Sequence, residues 1–237
     1  MSEFFLELFS EEIPVSLQIN LRKRLLEDIN KIFDDKLIKS KKNFSLSTPN
    51  RLIVVFKGLD KEVEIKSEEI KGPNTSSAPQ ALEGFLKSKN INKKNIFKKK
   101  TDKGEFYFFK TNKKKLKTID LLSDNLPKII SNLKWKKSMK WGNFDLSWGR
   151  PLKSILCVFD KKVVNFELSH LKSSNVTYLD KDFEEKKKTF NDYDSYQKYL
   201  NKIGTILDQD KRKDLVKKNI FKNVKYNPNL CDSRKWK

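Results

Sequence analysis

Two arginines of this sequence stand beside prolines: Arg51 two residues after Pro49, and Arg150 directly before Pro151. Only six of the 52 basic residues are arginine, at positions 22, 24, 51, 150, 212 and 234. A position that keeps arginine in a chain otherwise given over to lysine points to a planar, multi-donor task, such as a bidentate pair with phosphate or carboxylate. Around Arg150 the stretch KSMKWGNFDLSWGRPLKS gathers Lys140, Trp141, Trp148 and two glycines. Its tryptophans, with Trp135, could stack on nucleic-acid bases or anchor a core or interface. Lysine clusters at 93–94, 98–100, 113–115 and 186–188 could track phosphates or form a solvated face.

Enzymatic chemistry has little to stand on in these residues. Neither G-x-x-x-x-G-K nor G-x-G-x-x-G occurs, so the familiar phosphate loops are missing. No G-x-S-x-G occurs either, and the sole histidine, His170, follows the end of a predicted strand. Glu7, Glu11 and Glu12 could work as paired carboxylates, or serve the N-terminus of the next helix, whose dipole favours negative charge. Cys157 lies in an apolar run and Cys231 near the end, which suggests neither a disulfide framework nor a thiolate metal site. No catalytic residue, metal ligand or cofactor is assigned to the chain.

The 237 residues are 37% hydrophobic and 35% charged, enough apolar material for one or two packed domains. A formal net charge of +21 and a pI near 9.7 point to polyanion partners, because clustered cations release counterions from a phosphate backbone. Abundant lysine, asparagine, isoleucine and phenylalanine would also arise from A/T-rich codons. No run approaches the roughly 20 apolar residues of a membrane-spanning helix, and the start MSEFFLELFSEEIP is acidic where a secretory signal is basic. The expectation is a cytoplasmic protein with no membrane partner.

The elements that must carry these side chains read as α+β. FFLELF at 4–9 reads as a strand, and Leu21, Leu25, Ile29 and Phe33 draw the apolar face of a helix from 15 to about 37. RLIVVF at 51–56 and KEVEIKSEEI at 61–70 read as strands that pair across Gly58, and KGPNTSSAP at 71–79 as a loop. A helix at 80–88, a lysine-rich loop, a turn at 102–104 and a strand at 105–110 come next. A helix spans about 116–133, with a kink or restart at Pro127. SILCVFD and KKVVNFELS form a hairpin around Asp160 and Lys161. Beyond 171 apolar residues thin out, and the remainder reads as helix in two pieces parted near Gly204. This predicts mixed sheets with amphipathic helices in an N-terminal module, 1–170, and then the mainly helical, lysine-rich start of a second domain, 171–237.

LELFSEEIP at 6–14, TPNRL at 48–52, KGP at 71–73, ALEGF at 81–85, DKGEF at 102–106, SMKWG at 138–142 and RPL at 150–152 occur in an order and at distances that together resemble the N-terminal part of the β subunit of bacterial heterotetrameric glycyl-tRNA synthetase. DQDKR at 208–212 extends the likeness. The resemblance implies a non-catalytic tRNA-binding or assembly role beside an α subunit, which activates glycine with ATP and Mg2+ in an α2β2 ligase. It also implies that the isolated chain is inactive. Arg51, Lys71, Lys140, Trp141 and Arg150 fall on the matching strings and become candidates for contact with tRNA or the α subunit. Asn50 stands where the family has a second arginine, and NVTYLDK at 175–181 stands where it has glycine-histidine-arginine-phenylalanine. The likeness covers about the first third of a full β subunit, and NPNLCDSRKWK at the end matches nothing in it. Two other readings stay open: a stand-alone RNA-binding module, or an inactive truncated remnant of that subunit.

Overall fold

The computed structural model describes residues 2–65, 69–89, 91–102, 104–111, 114–179 and 186–223. The fold is α+β, in two compact units drawn from Met1–Lys61 with Thr118–Lys237 and from Glu62–Lys117. The first unit opens with β1 (Glu3–Ser10), α1 (Val15–Asp35), β2 (Lys42–Thr48) and β3 (Arg51–Lys57). The second comprises β4 (Glu62–Ile65), β5 (Glu69–Asn74), α2 (Pro79–Lys89), β6 (Ile96–Thr101), β7 (Gly104–Lys110) and β8 (Lys114–Lys117). The first unit resumes with α3 (Thr118–Ser131), β9 (Met139–Lys140), β10 (Ser147–Trp148), β11 (Leu152–Phe159) and β12 (Lys162–Val163). It ends with β13 (Glu167–Leu168), β14 (Leu171–Ser174), β15 (Val176–Tyr178), β16 (Lys187–Thr189), α4 (Tyr193–Lys202) and α5 (Gln209–Asn223).

The first unit is organised about β1, which lies in the middle of a sheet ordered β13-β14-β11-β1-β3-β2, with β12 on β11. Phe4, Leu6 and Leu8 point to one face, where Leu21, Leu25, Ile29 and Phe33 of α1 are buried as their spacing predicts. Phe33 meets Phe4 and Phe56 edge-on, with centroids 6.4 and 5.0 Å apart. Phe5 points to the other face and packs on Tyr193 and Tyr196 of α4, at 5.6 and 4.9 Å. Each fully buried Leu, Ile or Phe on these faces contributes about 1.5–3 kcal/mol.

The composition-based boundary at 170/171 falls inside the first unit. α4 presents Tyr193, Tyr196 and Leu200 on one stripe to a cluster with Phe5, Val55, Leu156 and Val158, so its buried residues are spent on the central sheet. The thinning of apolar residues after 171 reflects the exposed sides of α4 and α5. The break near Gly204 is where the two helices part, and Asp192 caps α4 by accepting from the Ser195 amide at 2.7 Å.

Several strand assignments change. β3 pairs with β1 and β2, and β4 pairs with β8, so the strands on either side of Gly58 do not form a hairpin. Gly58 has φ +70° and turns the chain away instead. Residues 71–74 extend β5, with a register shift between Lys71 and Asn74 that accommodates Pro73, and the chain turns only at Thr75 and Ser76. Part of the lysine-rich loop is strand β6. The turn expected at 102–104 includes Lys103, outside the described residues. Pro127 lies within an uninterrupted α3, and Leu116 belongs to β8 rather than the helix. The β11–β12 hairpin is present, with Asp160 and Lys161 at φ +49° and +66°, the left-handed pair that a tight two-residue turn requires.

If α4 belongs to the core, Leu200→Ala will destabilise the central sheet by about 2–5 kcal/mol. Hydrogen exchange of the β1 amides checks this: unchanged β1 protection would make residues after 170 an independent body.

Candidate functional site

Arg51 begins β3 opposite Phe9 of β1, and this register places it diagonally from Glu7 on the same face. Arg51 is 6% exposed and Glu7 is fully buried. The guanidinium Nε lies 3.4 Å from Glu7 Oε1, Nη2 donates to the Tyr178 carbonyl at 2.7 Å, and Cζ sits 4.5 Å from the Phe9 ring centroid. Thr177 donates to Glu7 Oε1 at 2.6 Å. Burial raises the Glu7 pKa, outweighing the attraction of Arg51 and the hydrogen bond from Thr177. The Tyr196 hydroxyl is pushed well above its usual range, first by burial and then by the charge of Glu7. The planar task anticipated for Arg51 is met within the chain by an internal carboxylate and a carbonyl.

Arg150 is exposed and helps to form an open cleft of about 690 Å3 at the end of the central strands. Three of the sequence strings meet there. Ser10 N donates to Asn50 O at 2.9 Å, Glu11 N to Pro151 O at 3.0 Å, and Ile13 N to Pro49 O at 2.6 Å. The cleft is lined by Glu11, Glu12 and Val15 from the first string and its helix, Pro49 from the second, and Arg150 and Lys153 from the third and its strand. Arg150 Nε donates to the Glu12 carbonyl at 3.2 Å, and Lys153 Nζ lies 3.8 Å from Glu11 Oε1. Helix α1 starts after Pro14 with no side-chain cap at that position. Val15 is 80% exposed and Ile19, one turn on, 53%. Asn50, in the two-residue turn between β2 and β3, donates from its amide to the Ser10 carbonyl at 3.3 Å.

Lys140 and Trp141 lie on the ribbon β9–β10 and the turn after its first strand. Lys140 pairs with Asp145 at 2.9 Å, and this hydrogen bond lowers the Asp145 pKa. Trp141 donates from its indole to the Trp148 carbonyl at 3.1 Å. Trp148 is buried against Trp135, centroids 5.0 Å apart. A Cβ on Gly149 would fall 2.0 Å from Trp135, and Gly142 has φ +62°. Gly149 therefore answers to the tryptophan packing and Gly142 to the turn. His170 stacks on Phe144 at 3.6 Å. Lys71 belongs to the second unit, on β5, with its ammonium 3.5 Å from the Phe106 centroid.

Sequence reasoning missed the partners of the arginines. Arg22 donates to the Ser45 carbonyl at 2.9 Å, and Arg212 to the carbonyls of Ile206, Leu207 and Ser47 at 2.5, 2.8 and 2.6 Å. With Arg51 and Arg150, four arginines tie down backbone carbonyls, a role suited to a rigid fork of donors. The signal for Glu7 was a charged residue at the centre of an otherwise apolar strand. Arg51→Met will leave the Glu7 carboxylate buried without its counter-charge and cost about 3–5 kcal/mol, measurable by urea unfolding. Because folding raises the Glu7 pKa, the native state holds its proton to higher pH than the unfolded chain. Its contribution is therefore full below the ordinary carboxylate range and is lost as pH rises through the native value. Glu7→Gln should remove that fall from the pH–stability curve; a curve parallel to wild type would refute the assignment.

The family model for the glycyl-tRNA synthetase beta subunit matches residues 4–231. The glycine–tRNA ligase beta subunit of Rickettsia canadensis (strain McKiel) is 34% identical over 223 residues, 93% of this chain and 33% of that protein. The corresponding subunit of Rickettsia typhi (strain ATCC VR-144 / Wilmington) is 36% identical over 223 residues, 92% of this chain and 32% of its own length. The chain thus spans about a third of the length of the curated relatives it matches. Because the match runs through both compact units and includes the three segments that meet at the cleft, the chain belongs to the glycyl-tRNA synthetase beta subunit family.

Proposed function

We propose that this chain is a non-catalytic, tRNA-binding and assembly part of a glycyl-tRNA synthetase, supporting ATP-dependent attachment of glycine to tRNA by a partner α subunit in the cytoplasm. In this reading ATP and Mg2+ belong to the α subunit, and the assembly is α2β2. The observation that carries it is the cleft at the end of β1. Three family strings converge on it, its wall is held by backbone hydrogen bonds, and its lining offers Val15 to solvent, with the exposed Ile19 one turn further along α1. An open cleft with both charge signs and an exposed apolar rim suits a segment of another polypeptide, because apolar anchors supply affinity and surrounding polar groups supply register. Among the described residues no helix is long and apolar enough to cross a membrane.

The test is co-purification with the α subunit, together with glycyl-adenylate formation by each part. Val15→Asp combined with Ile19→Asp should weaken association by about 30-fold, as expected for loss of an apolar anchor worth ~2 kcal/mol. The isolated chain should form no adenylate. Adenylate from the pure chain would defeat the non-catalytic reading, and undiminished association of the double variant would remove the cleft from the interface.

A further inference from the structure

The three-stranded sheet β5-β7-β6 of the second unit has two chemically different faces. On one side Gly72 abuts α2: a Cβ there would lie 2.9 Å from Phe85. Residues alternate along a strand, so Lys71 and its cross-strand neighbours Phe108 and Phe97 point the other way. That face carries Phe97, Phe106 and Phe108 among Lys71, Lys99 and Lys110. Phe97 is 38% exposed and stacks on the buried Phe108, centroids 6.1 Å apart and rings inclined by 26°. The Lys71 ammonium stands 3.5 Å over Phe106, and that of Lys99 5.5 Å from Phe108. Glu69 on the same face is the internal counter-ion: it pairs with Lys99 at 2.6 Å, and Lys99, with Lys110 beyond it, holds its carboxyl below the ordinary range.

We propose that this lysine-framed aromatic face binds unpaired nucleotides of RNA, with a base stacked on Phe97 and phosphates held by Lys71, Lys99 and Lys110. The inference rests on the reading of the chain as part of a tRNA-charging enzyme, and it assigns RNA contact to residues 69–110 rather than to the cleft. Two features favour this occupant over a protein. Three lysines against one carboxylate give the face a positive balance, which suits a phosphate backbone. A ring exposed to solvent on a face that also carries cations is the combination that binds single strands without sequence preference, because every base has a π-face to stack.

The experiment is fluorescence anisotropy of a short labelled oligouridylate titrated with the full chain across a salt series. Phe97→Ala should weaken binding about 5- to 100-fold, the range for loss of one stacked base, with the salt slope unchanged. Phe97→Tyr should restore it. Lys71→Gln with Lys99→Gln should instead lower the slope, by about 0.7 for each phosphate no longer neutralised. Wild-type affinity in Phe97→Ala, or an equal loss for heparin, which offers charge without bases, would overturn the proposal. Unaltered hydrogen exchange in β7 shows that the variants are folded, and the exposed lysine pair tests the face independently of ring packing. Co-purification of Phe97→Ala with the α subunit is measured in parallel. Retained association with no effect on RNA sinks this inference alone, whereas wild-type protein that binds neither RNA nor the α subunit sinks the functional reading beneath it.

Discussion

A carboxylate fully buried in the middle of β1 is the constraint on which the first unit depends. An ionised Glu7 is tolerable there only with a cation and hydrogen-bond donors at fixed distances. Arg51 supplies the cation from β3, and Thr177 supplies a donor from β15. A slip of one residue between β1 and β3 would turn Arg51 to the opposite face and strand both charges, so the pair specifies strand register as well as balancing charge. Through its bond to the Tyr178 carbonyl, Arg51 also reaches 127 positions along the chain and fastens β15 beside the sheet. The aromatic cluster around Tyr193 and Tyr196 then closes that face.

The two kinds of basic residue do different work. Arg22, Arg51, Arg150 and Arg212 are turned to backbone carbonyls, where several fixed donors on one plane are an advantage. Lysines supply the exposed charge, and on the sheet of the second unit they stand over aromatic rings. The net charge of the chain therefore says little about where arginine acts, and the polyanion signal in the composition resides in the lysines. Retention of arginine in a lysine-rich chain marks geometric demand, which the protein's own backbone can impose as readily as a phosphate.

Much of this organisation was legible in the residues themselves. The stripe of Leu21, Leu25, Ile29 and Phe33 announced α1, and the tight turn at Asp160 and Lys161 announced the β11–β12 hairpin, because both depend on local periodicity and turn geometry. Pairing partners were not legible. Gly58 looked like a hairpin turn, but β3 finds its neighbours in β1 and β2, a choice made by burial on both faces. The role of α4 was hidden because three buried residues in ten suffice when they share a stripe. At the site, Arg51 and Arg150 stood out by rarity and by their prolines, and Glu7 by its charge among apolar strand neighbours, but the pairing of Glu7 with an arginine 44 positions away depends on strand register and was not legible. The tryptophan–glycine segment is explained by packing: Trp135 occupies the space where Gly149 would carry a side chain.

The second unit is one continuous excursion of the chain out of the first. The excursion from Glu62 to Lys117 begins and ends in paired strands, β4 against β8, and the host unit is itself joined at the point of departure, where Thr118 N donates to the Lys61 carbonyl at 2.9 Å. To the host, the excursion is a loop whose two ends are already clasped. The entropy of closing such a loop grows only with the logarithm of its length, so residues inside the clasp are free to lengthen, shorten or change character with little penalty to the fold outside. The frame built around Glu7 and Arg51 is thereby insulated, in chain-closure terms, from the length of the lobe it carries.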